Sequence, residues 1–181
     1  RLADQGHEIA LHVGYERWQS AAQCRQALDA FERATGIRPA GSRQHYMRGR
    51  VPQAWRALAE AGLGYEATAG FAGREGFRFG TALPFQAFDS DQEKPLPLWI
   101  VPLAAIDIGL RVYRRLSPEE AEASLDRLRT QVRRAGGGFA LLWHNSSADE
   151  PWKDWIGVPA NFLRSAIGDG AWTPTIGASR R

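Results

Sequence analysis

The sequence predicts an α/β fold with a mostly parallel sheet. Short apolar segments with the two-residue period of strands alternate with segments that have the period of helices. With 181 residues, the chain is long enough for one domain with a sizeable core. It is short for a complete α/β barrel, which needs roughly 200 residues or more. Functional residues in such folds collect beyond the carboxyl ends of the strands, so we expect a site there.

The first predicted strand lies close to the N-terminus, over residues 6–12. Its apolar residues Ile9 and Leu11 alternate with polar neighbours, and His12 ends it. The residues before this strand, 2–6, have the pattern of a last helical turn closed by glycine. A chain that opens within a helix is expected to have lost a segment upstream.

Further elements follow in the alternating order of this fold class. A helix predicted over residues 20–35 has an apolar stripe and is closed by Gly36. The next predicted elements are a short strand, a second helix, another short strand and an irregular, aromatic-rich segment with a hairpin, over residues 39–46, 51–61, 65–68 and 70–91.

The second half of the chain has the same organisation. A strand is predicted over residues 96–101, and Pro95 and Pro97 place its start at a sheet edge. The longest helix begins after Ser117, which has the pattern of an N-cap, and ends at three consecutive glycines. The apolar run over 139–143 is typical of a strand buried on both faces. The chain closes with a predicted short helix and a loosely ordered tail, over residues 161–167 and 168–181.

Composition and charge restrict the classes of partner. The net charge is +3, and the basic residues are spread along the chain without a stripe of interleaved aromatics, so nucleic acid is not an expected partner. No apolar run approaches about 18 residues, so we expect no membrane span. The single cysteine, Cys24, excludes an intrachain disulfide. The compartment is left open, with the cytoplasm favoured, and so is the oligomeric state.

Histidines at strand ends are the main indication of function. His12, His45 and His144 lie at or just past the ends of predicted strands, and Glu16 follows His12 by four residues. Imidazole and carboxylate are suitable zinc ligands, and open catalytic sites use about three protein ligands plus water. A divalent metal, with zinc as first candidate, is therefore one interpretation of these residues. Hydrogen-bonded structural histidines are an equally good interpretation of the spacing alone, and His7 is predicted to be structural.

Residues beside these histidines are candidate substrate contacts. Arg43 and Arg48 flank His45, and an arginine there is able to orient a carboxylate. A solvated loop charge is the alternative interpretation of Arg48. His144 follows an apolar segment and has the position of a general acid or base, since imidazole titrates near physiological pH. A loop histidine without a catalytic role is the alternative there.

Three motifs occur in order along the chain. They are Gly-His-Glu-Ile-x-Leu-His, Arg-x-His-Tyr and Leu-Leu-Trp-His-Asn, at residues 6–12, 43–46 and 141–145. Together they resemble the polysaccharide deacetylase superfamily, the NodB-like carbohydrate esterases. Gly-Phe-Arg-x-Gly-Thr, over residues 76–81, resembles a bacterial branch of that superfamily. The resemblance implies a distorted (β/α) barrel that removes N- or O-acetyl groups from a carbohydrate substrate with a divalent metal.

By position, the resemblance assigns the metal to two histidines. His12 matches the first histidine of the family's His-(Ser/Thr)-x-x-His motif, with Val13 in the Ser/Thr place. Glu16 stands where the second histidine is expected. His45 replaces the proline of the family's Arg-x-Pro-Tyr motif, and the hypothesis is that it supplies the missing imidazole.

The resemblance also assigns substrate contacts and a proton donor. Arg43 and Tyr46 belong to the Arg-x-Pro-Tyr motif, and Trp143 precedes the histidine of the family's Leu-x-His motif. These three residues are predicted to bind substrate, with Tyr46 and Trp143 offering faces to sugar rings. His144 matches the histidine that protonates the leaving group, so it is predicted to be catalytic.

The largest departure from the family lies at the start of the chain. The family begins with a strand that bears an Asp pair, one a catalytic base and one a metal ligand, and this strand would lie upstream of Arg1. The expectation is therefore a partial domain over residues 1–167 that lacks its first strand and is nearly inactive as this fragment. Two other functions stay open: a non-catalytic carbohydrate-binding or scaffold module on the same fold, and another metal-dependent amidohydrolase that acts on a small amide.

Overall fold

A computed structural model describes residues 2–148 and 151–179 of the chain. These residues form two compact units. The first unit contains residues 2–69, 84–101 and 174–179, and the second contains residues 70–83 and 102–173 apart from 149–150. Each unit has its own hydrophobic core, and each carries part of the predicted site.

A five-stranded sheet forms the centre of the first unit. In chain order its strands are β1 (Leu11–Val13), β2 (Gly41–Gln44), β3 (Tyr65–Glu66), β4 (Phe85–Asp89) and β5 (Lys94–Ile100). They lie in the spatial order β1-β2-β3-β5-β4. Neighbours run parallel except for β4, which is antiparallel to β5. Four parallel strands therefore end at the same edge of the sheet, which is where the first group of predicted site residues lies.

Two helices cover one face of this sheet. Helix α1 (Ala21–Thr35) is capped by the Ser20 side chain and ends at Gly36, which has a φ of 73°. Helix α2 (Gln53–Glu60) follows β2. Apolar side chains from both helices and from the strands form the core, including Leu11, Val13, Cys24, Leu28, Trp55, Leu58, Leu98 and Ile100. Because Leu11 and Val13 point into this core, His12 between them points to the opposite face.

The β4–β5 hairpin explains two prolines in a strand. Lys94 and Pro95 pair with β4 alone, and β3 joins β5 only at Trp99 and Ile100. The start of β5 therefore has one neighbouring strand, as predicted from Pro95 and Pro97. A proline is tolerated there because its missing N–H is not needed by a second neighbour.

The second unit is built from two strands and two long helices. Strands β6 (Leu103–Ile106) and β7 (Ala140–Leu142) pair in parallel, and the helices are α3 (Pro118–Arg134) and α4 (Gly157–Gly168). A π-helical turn, Gly109–Tyr113, follows β6. The core side chains are Ala105, Leu110, Ala121, Leu125, Trp155, Val158 and Phe162. This core supports the ends of β6 and β7, where the second group of site residues lies.

Helix α3 begins with a complete capping box. The Ser117 hydroxyl accepts a hydrogen bond from the Glu120 amide, and the Glu120 side chain accepts one from the Ser117 amide. We expect Ser117→Ala to lower the free energy of unfolding by about 1 kcal/mol, because an amide of the first turn loses its partner. Urea denaturation measures this change. Gln131→Ala, at an exposed position of the same helix, is the control, and equal effects of the two substitutions would contradict the assigned cap.

The structure confirms the mixed α/β class and corrects two strands. The first strand is Leu11–Val13 and not residues 6–12. Strand β7 is half-buried and not buried on both faces, because it pairs with β6 alone among the described residues. The described strands form two open sheets, so the barrel stays a prediction. None of the helices among residues 2–148 and 151–179 is long and apolar enough to cross a bilayer.

The predicted domain over residues 1–167 and tail over 168–181 stay predictions. Within the first unit, part of the C-terminal segment contacts the rest. Ile176 packs against Tyr65, Ala67 and Val101, and the Gly177 amide donates to the Glu8 carboxylate over 2.8 Å.

Candidate functional site

His12 occupies the middle of β1 with a defined ring orientation. The strand register places it beside Arg43 of β2, and its Nδ1 lies 3.0 Å from the Arg43 carbonyl oxygen. A carbonyl oxygen only accepts hydrogen bonds, so in the neutral ring Nδ1 carries the proton. The lone pair of His12 is therefore on Nε2. Backbone carbonyls fix many metal-ligating histidines in this way.

His45 lies against that lone pair. It follows β2 directly, and its Nδ1 is 2.9 Å from His12 Nε2. The ring centroids are 5.0 Å apart with an angle of 66° between the planes. Two nitrogen ligands of a tetrahedral zinc, each about 2.0–2.1 Å from the metal, lie about 3.3 Å apart. The contact is a hydrogen bond that His45 Nδ1–H donates to His12 Nε2, and it brings two residues that are 33 positions apart in sequence to nearly that spacing.

The loop that carries His45 has an unusual backbone. Tyr46 and Met47 both have positive φ angles, 55° and 53°. Residues with a side chain rarely adopt this left-handed conformation, which costs about 1–2 kcal/mol for each of them. The Tyr46 side chain is 76% exposed and lies beside the histidine pair.

Aromatic rings surround the histidine pair. Tyr46 meets the His45 ring edge-on, with centroids 4.5 Å apart. Tyr15, in the turn after β1, contacts both the His45 and Tyr46 rings at centroid distances of 6.4 and 5.8 Å. The guanidinium carbon of Arg48 lies 4.0 Å from the centre of the Tyr15 ring. The predicted sugar-binding residue Tyr46 is thus part of an aromatic surface that also includes Tyr15, which the sequence did not indicate.

Arg43 lies deeper than Tyr46. It is half-buried, and its Nε donates to the Ala67 carbonyl over 2.9 Å. Burial lowers the pKa of its guanidinium, and the nearby Glu66 carboxylate opposes this effect. Burial also raises the pKa of Glu66 to about 7, although the Thr68 amide donates to its Oε1. Arg43 is therefore held in place by the strands on either side of it, and its role in substrate binding stays a prediction.

The side chains of the first unit that could bind a metal suit zinc, but they are few. They are the two imidazoles of His12 and His45, while Glu16 is exposed in the turn after β1. Within residues 2–148 and 151–179, no group of three or more His, Cys, Asp or Glu side chains is placed to hold a metal ion. The metal stays a prediction, with two of about three expected protein ligands in position.

In the second unit, Asp107 fixes His144. The His144 Nδ1 lies 2.8 Å from Asp107 Oδ1, and the His144 amide donates to Oδ2 over 2.8 Å. The Ile108 amide also donates to Oδ1, over 2.7 Å. The Asp107 side chain is fully buried, whereas that of His144 is 37% exposed. A carboxylate that accepts from Nδ1–H leaves Nε2 as the atom that exchanges a proton with a substrate.

Asp107 is a candidate site residue that the sequence prediction missed. It directly follows β6, a strand that was not predicted, since only Val101 and Pro102 separate it from β5. The available signal was an apolar run, 103–106, that ends in a carboxylate. His144 was predicted from the same kind of pattern.

Trp143 is part of the core of the second unit. It is half-buried, and its ring lies 6.3 Å from that of Trp155, with Trp152 next to it. Arg111 stacks on Trp152 with its guanidinium carbon 4.1 Å from the ring centre. Trp143 thus has a packing role in the structure, and its predicted contact with substrate stays a prediction.

Comparison with known proteins supports the fold. No protein-family model matches the chain, and no curated protein sequence matches it. One similar solved structure is described as a "putative polysaccharide deacetylase" from Mycobacterium smegmatis. The two chains are 18% identical, and the TM-score is 0.73 over 98% of this chain. This chain spans 63% of the length of that structure. At this identity the likeness is one of fold.

Proposed function

We propose that this chain carries the chemistry of a metal-dependent hydrolase that removes acetyl groups from an amino sugar or a polysaccharide. The observation that carries the proposal is the Asp107–His144 pair, a fully buried carboxylate that orients a partly exposed imidazole. This is the arrangement of a general acid or base. The likeness in fold to a structure described as a polysaccharide deacetylase supports the choice of an acetylated carbohydrate as substrate.

His12 and His45 are the residues that would hold the metal in this proposal. His12 presents Nε2 because its Nδ1 donates to the Arg43 carbonyl, and His45 Nδ1 lies beside that atom and would give up its proton to hold the metal. When bound, a divalent metal, most simply zinc, supplies a Lewis acid for a carbonyl oxygen and lowers the pKa of water. The two histidines bind and orient, and they take no part in proton transfer.

His144 is the residue that moves a proton. Its Nε2 donates to the departing amine or alkoxide of the sugar as the bond to the acetyl carbon breaks. Asp107 keeps the ring in the required tautomer and stabilises the charge when the imidazole is protonated. Tyr46 offers its exposed ring to a sugar, and Arg43 keeps the strand ends in position through its bond to Ala67.

Metal content tests the role of the histidine pair. We expect the purified chain to bind near-stoichiometric zinc or another divalent metal, and His12→Ala and His45→Ala to weaken binding by at least tenfold, since each removes a direct ligand. Elemental analysis and titration with zinc measure this. His7→Ala, which removes an exposed histidine outside the pair, is the matched control. Equal zinc binding by wild type and both variants, or none by the wild type, would contradict the assigned ligands.

Acetate release tests the activity. It is measured with zinc, cobalt and manganese on N-acetylglucosamine oligomers and on acetylated xylan, both for the 181-residue chain and for the complete product of its open reading frame. We expect the wild type to release acetate and His144→Ala to abolish this release. If neither form releases acetate from any of these substrates, the proposed activity is wrong.

A second candidate is a non-catalytic carbohydrate-binding module. It is favoured by one observation, the exposed aromatic surface of Tyr15 and Tyr46 next to a donor set of only two imidazoles. This candidate expects oligosaccharide binding that is unchanged when metal is removed with a chelator. The deacetylase proposal expects the chelator to abolish acetate release.

A further inference from the structure

Arg48 is a cation that forms no ion pair in the part of the chain that the structure describes. The central carbon of its guanidinium lies over the Tyr15 ring, 4.0 Å from the ring centre. The residue is half-buried. Among residues 2–148 and 151–179, no carboxylate lies within ion-pair distance of Arg48, in contrast to Arg38, Arg56, Arg114 and Arg129, which all form ion pairs. Its charge is therefore available to a bound molecule.

Arg48 lies close in the chain to the histidine pair. It lies three residues after His45, and its amide donates to the His45 carbonyl over 3.2 Å. Tyr15, on which it stacks, lies three residues after His12 and contacts the His45 ring. The segments that follow β1 and β2 thus carry Tyr15 and Arg48 next to the proposed metal ligands, His12 and His45. A ligand that contacts His45 and Tyr46 is within reach of Arg48.

The stacking determines which part of Arg48 is available. A guanidinium held by the face of an aromatic ring keeps its N–H groups at its edge. No side-chain hydrogen bond from Arg48 to another described residue is formed, so these donors are open to a ligand. The planar array of donors matches the two oxygens of a carboxylate or of a sulfate or phosphate group. Partial burial strengthens such a contact relative to one in open water.

We propose that Arg48, held by Tyr15, binds an acidic group of the substrate, so that the carbohydrate recognised at the histidine pair is anionic. This inference rests on the proposed function and names its substrate class. The group that Arg48 binds in this proposal is a carboxylate, a sulfate or a phosphate on a sugar. Arg43 suits this role less than Arg48, because its Nε is bonded to the Ala67 carbonyl and the Glu66 carboxylate lies near its buried guanidinium.

Binding to matched neutral and acidic sugars tests the proposal. The probes are chitotetraose against a hyaluronan tetrasaccharide, for a carboxylate, and N-acetylglucosamine against its 6-sulfate. Calorimetric titrations are made at low salt with a chelator present, so that no metal contributes to the preference. We expect the wild type to bind at least one acidic probe about tenfold more tightly than its neutral counterpart. High salt is expected to reduce this preference.

Substitutions of Arg48 test whether the preference for acidic sugars depends on this side chain. Arg48→Gln is expected to bring the ratio of affinities close to one, and Arg48→Lys, which keeps the charge but not the planar donors, to give an intermediate ratio. Arg50→Gln is the matched control, because Arg50 is an exposed arginine of the same loop without a ring partner, and it is expected to keep the wild-type ratio. Circular dichroism verifies the fold of each variant.

Either of two results would overturn the proposal. One is a wild type that binds no acidic probe more tightly than its neutral counterpart, including the case in which nothing binds. The other is an acidic preference that survives in Arg48→Gln or disappears equally in Arg50→Gln. Both results leave metal binding and acetate release untouched, so failure of this inference is distinguishable from failure of the proposed function.

Discussion

Asp107→Asn is expected to reduce acetate release by about 100- to 10,000-fold while the chain stays folded. General acid–base catalysis contributes a factor of this size. The asparagine has nearly the shape of the aspartate, and its oxygen still accepts hydrogen bonds in a fully buried position. Its single oxygen is a weaker acceptor than a carboxylate, and its amide nitrogen is a donor, so it cannot accept from both the ring and the amide of His144 as Oδ1 and Oδ2 do. The imidazole then loses the negative charge that stabilises its protonated form, and its Nδ1–H tautomer is held less firmly.

Two measurements separate this effect from simple unfolding. Nitrogen chemical shifts of the His144 ring report the tautomer, and we expect the Nε2–H form to gain population in Asp107→Asn. Thermal denaturation reports the fold. Asp126→Asn, at an exposed position of α3, is the matched control and is expected to keep wild-type activity. Wild-type acetate release by Asp107→Asn would show that the carboxylate does not act through His144.

Glu66→Gln is expected to stabilise the chain above pH 7 and to flatten the dependence of its stability on pH. Burial raises the pKa of Glu66 in the folded chain to about 7, from an ordinary value of 4.5. Between these pH values the folded carboxyl holds a proton that the unfolded one has released. Rising pH therefore favours the unfolded chain by about 1.4 kcal/mol for each pH unit in that window, or about 3 kcal/mol in total. Below pH 4.5 the carboxyl is protonated in both the folded and the unfolded chain, so this loss of folding stability is absent.

Glutamine removes the charge and keeps the local contact. Its carbonyl oxygen is able to accept the hydrogen bond that Thr68 donates to Glu66 over 2.7 Å. Urea denaturation at pH 5 and at pH 8 should show wild type and Glu66→Gln close together at the lower pH and separated at the higher one. Glu93→Gln, in the exposed turn between β4 and β5, is the control. A separation that is equal at both pH values would mean that Glu66 does not titrate in this window.

Helix ends were predictable from the sequence because their signals are local. The capping box of Ser117 and the left-handed Gly36 each depend on residues within one turn of the helix, and both occur in the structure as predicted. The site was less accessible to such reasoning. The contacts of Asp107 with His144 and of His12 with His45 join residues 37 and 33 positions apart, so they depend on strand order and register. Asp107 was missed because the short strand before it, 103–106, was not predicted.

The two consecutive left-handed residues, Tyr46 and Met47, restrict which sequences this loop accepts. Glycine and asparagine tolerate that backbone at little cost, whereas valine, isoleucine and threonine are nearly excluded from it. Met47→Gly would thus relax the loop, and Met47→Val would force it into another conformation. Since His45 and Arg48 bracket these residues, a redesign of the loop for another ligand has to keep residues that tolerate the left-handed backbone at both positions 46 and 47.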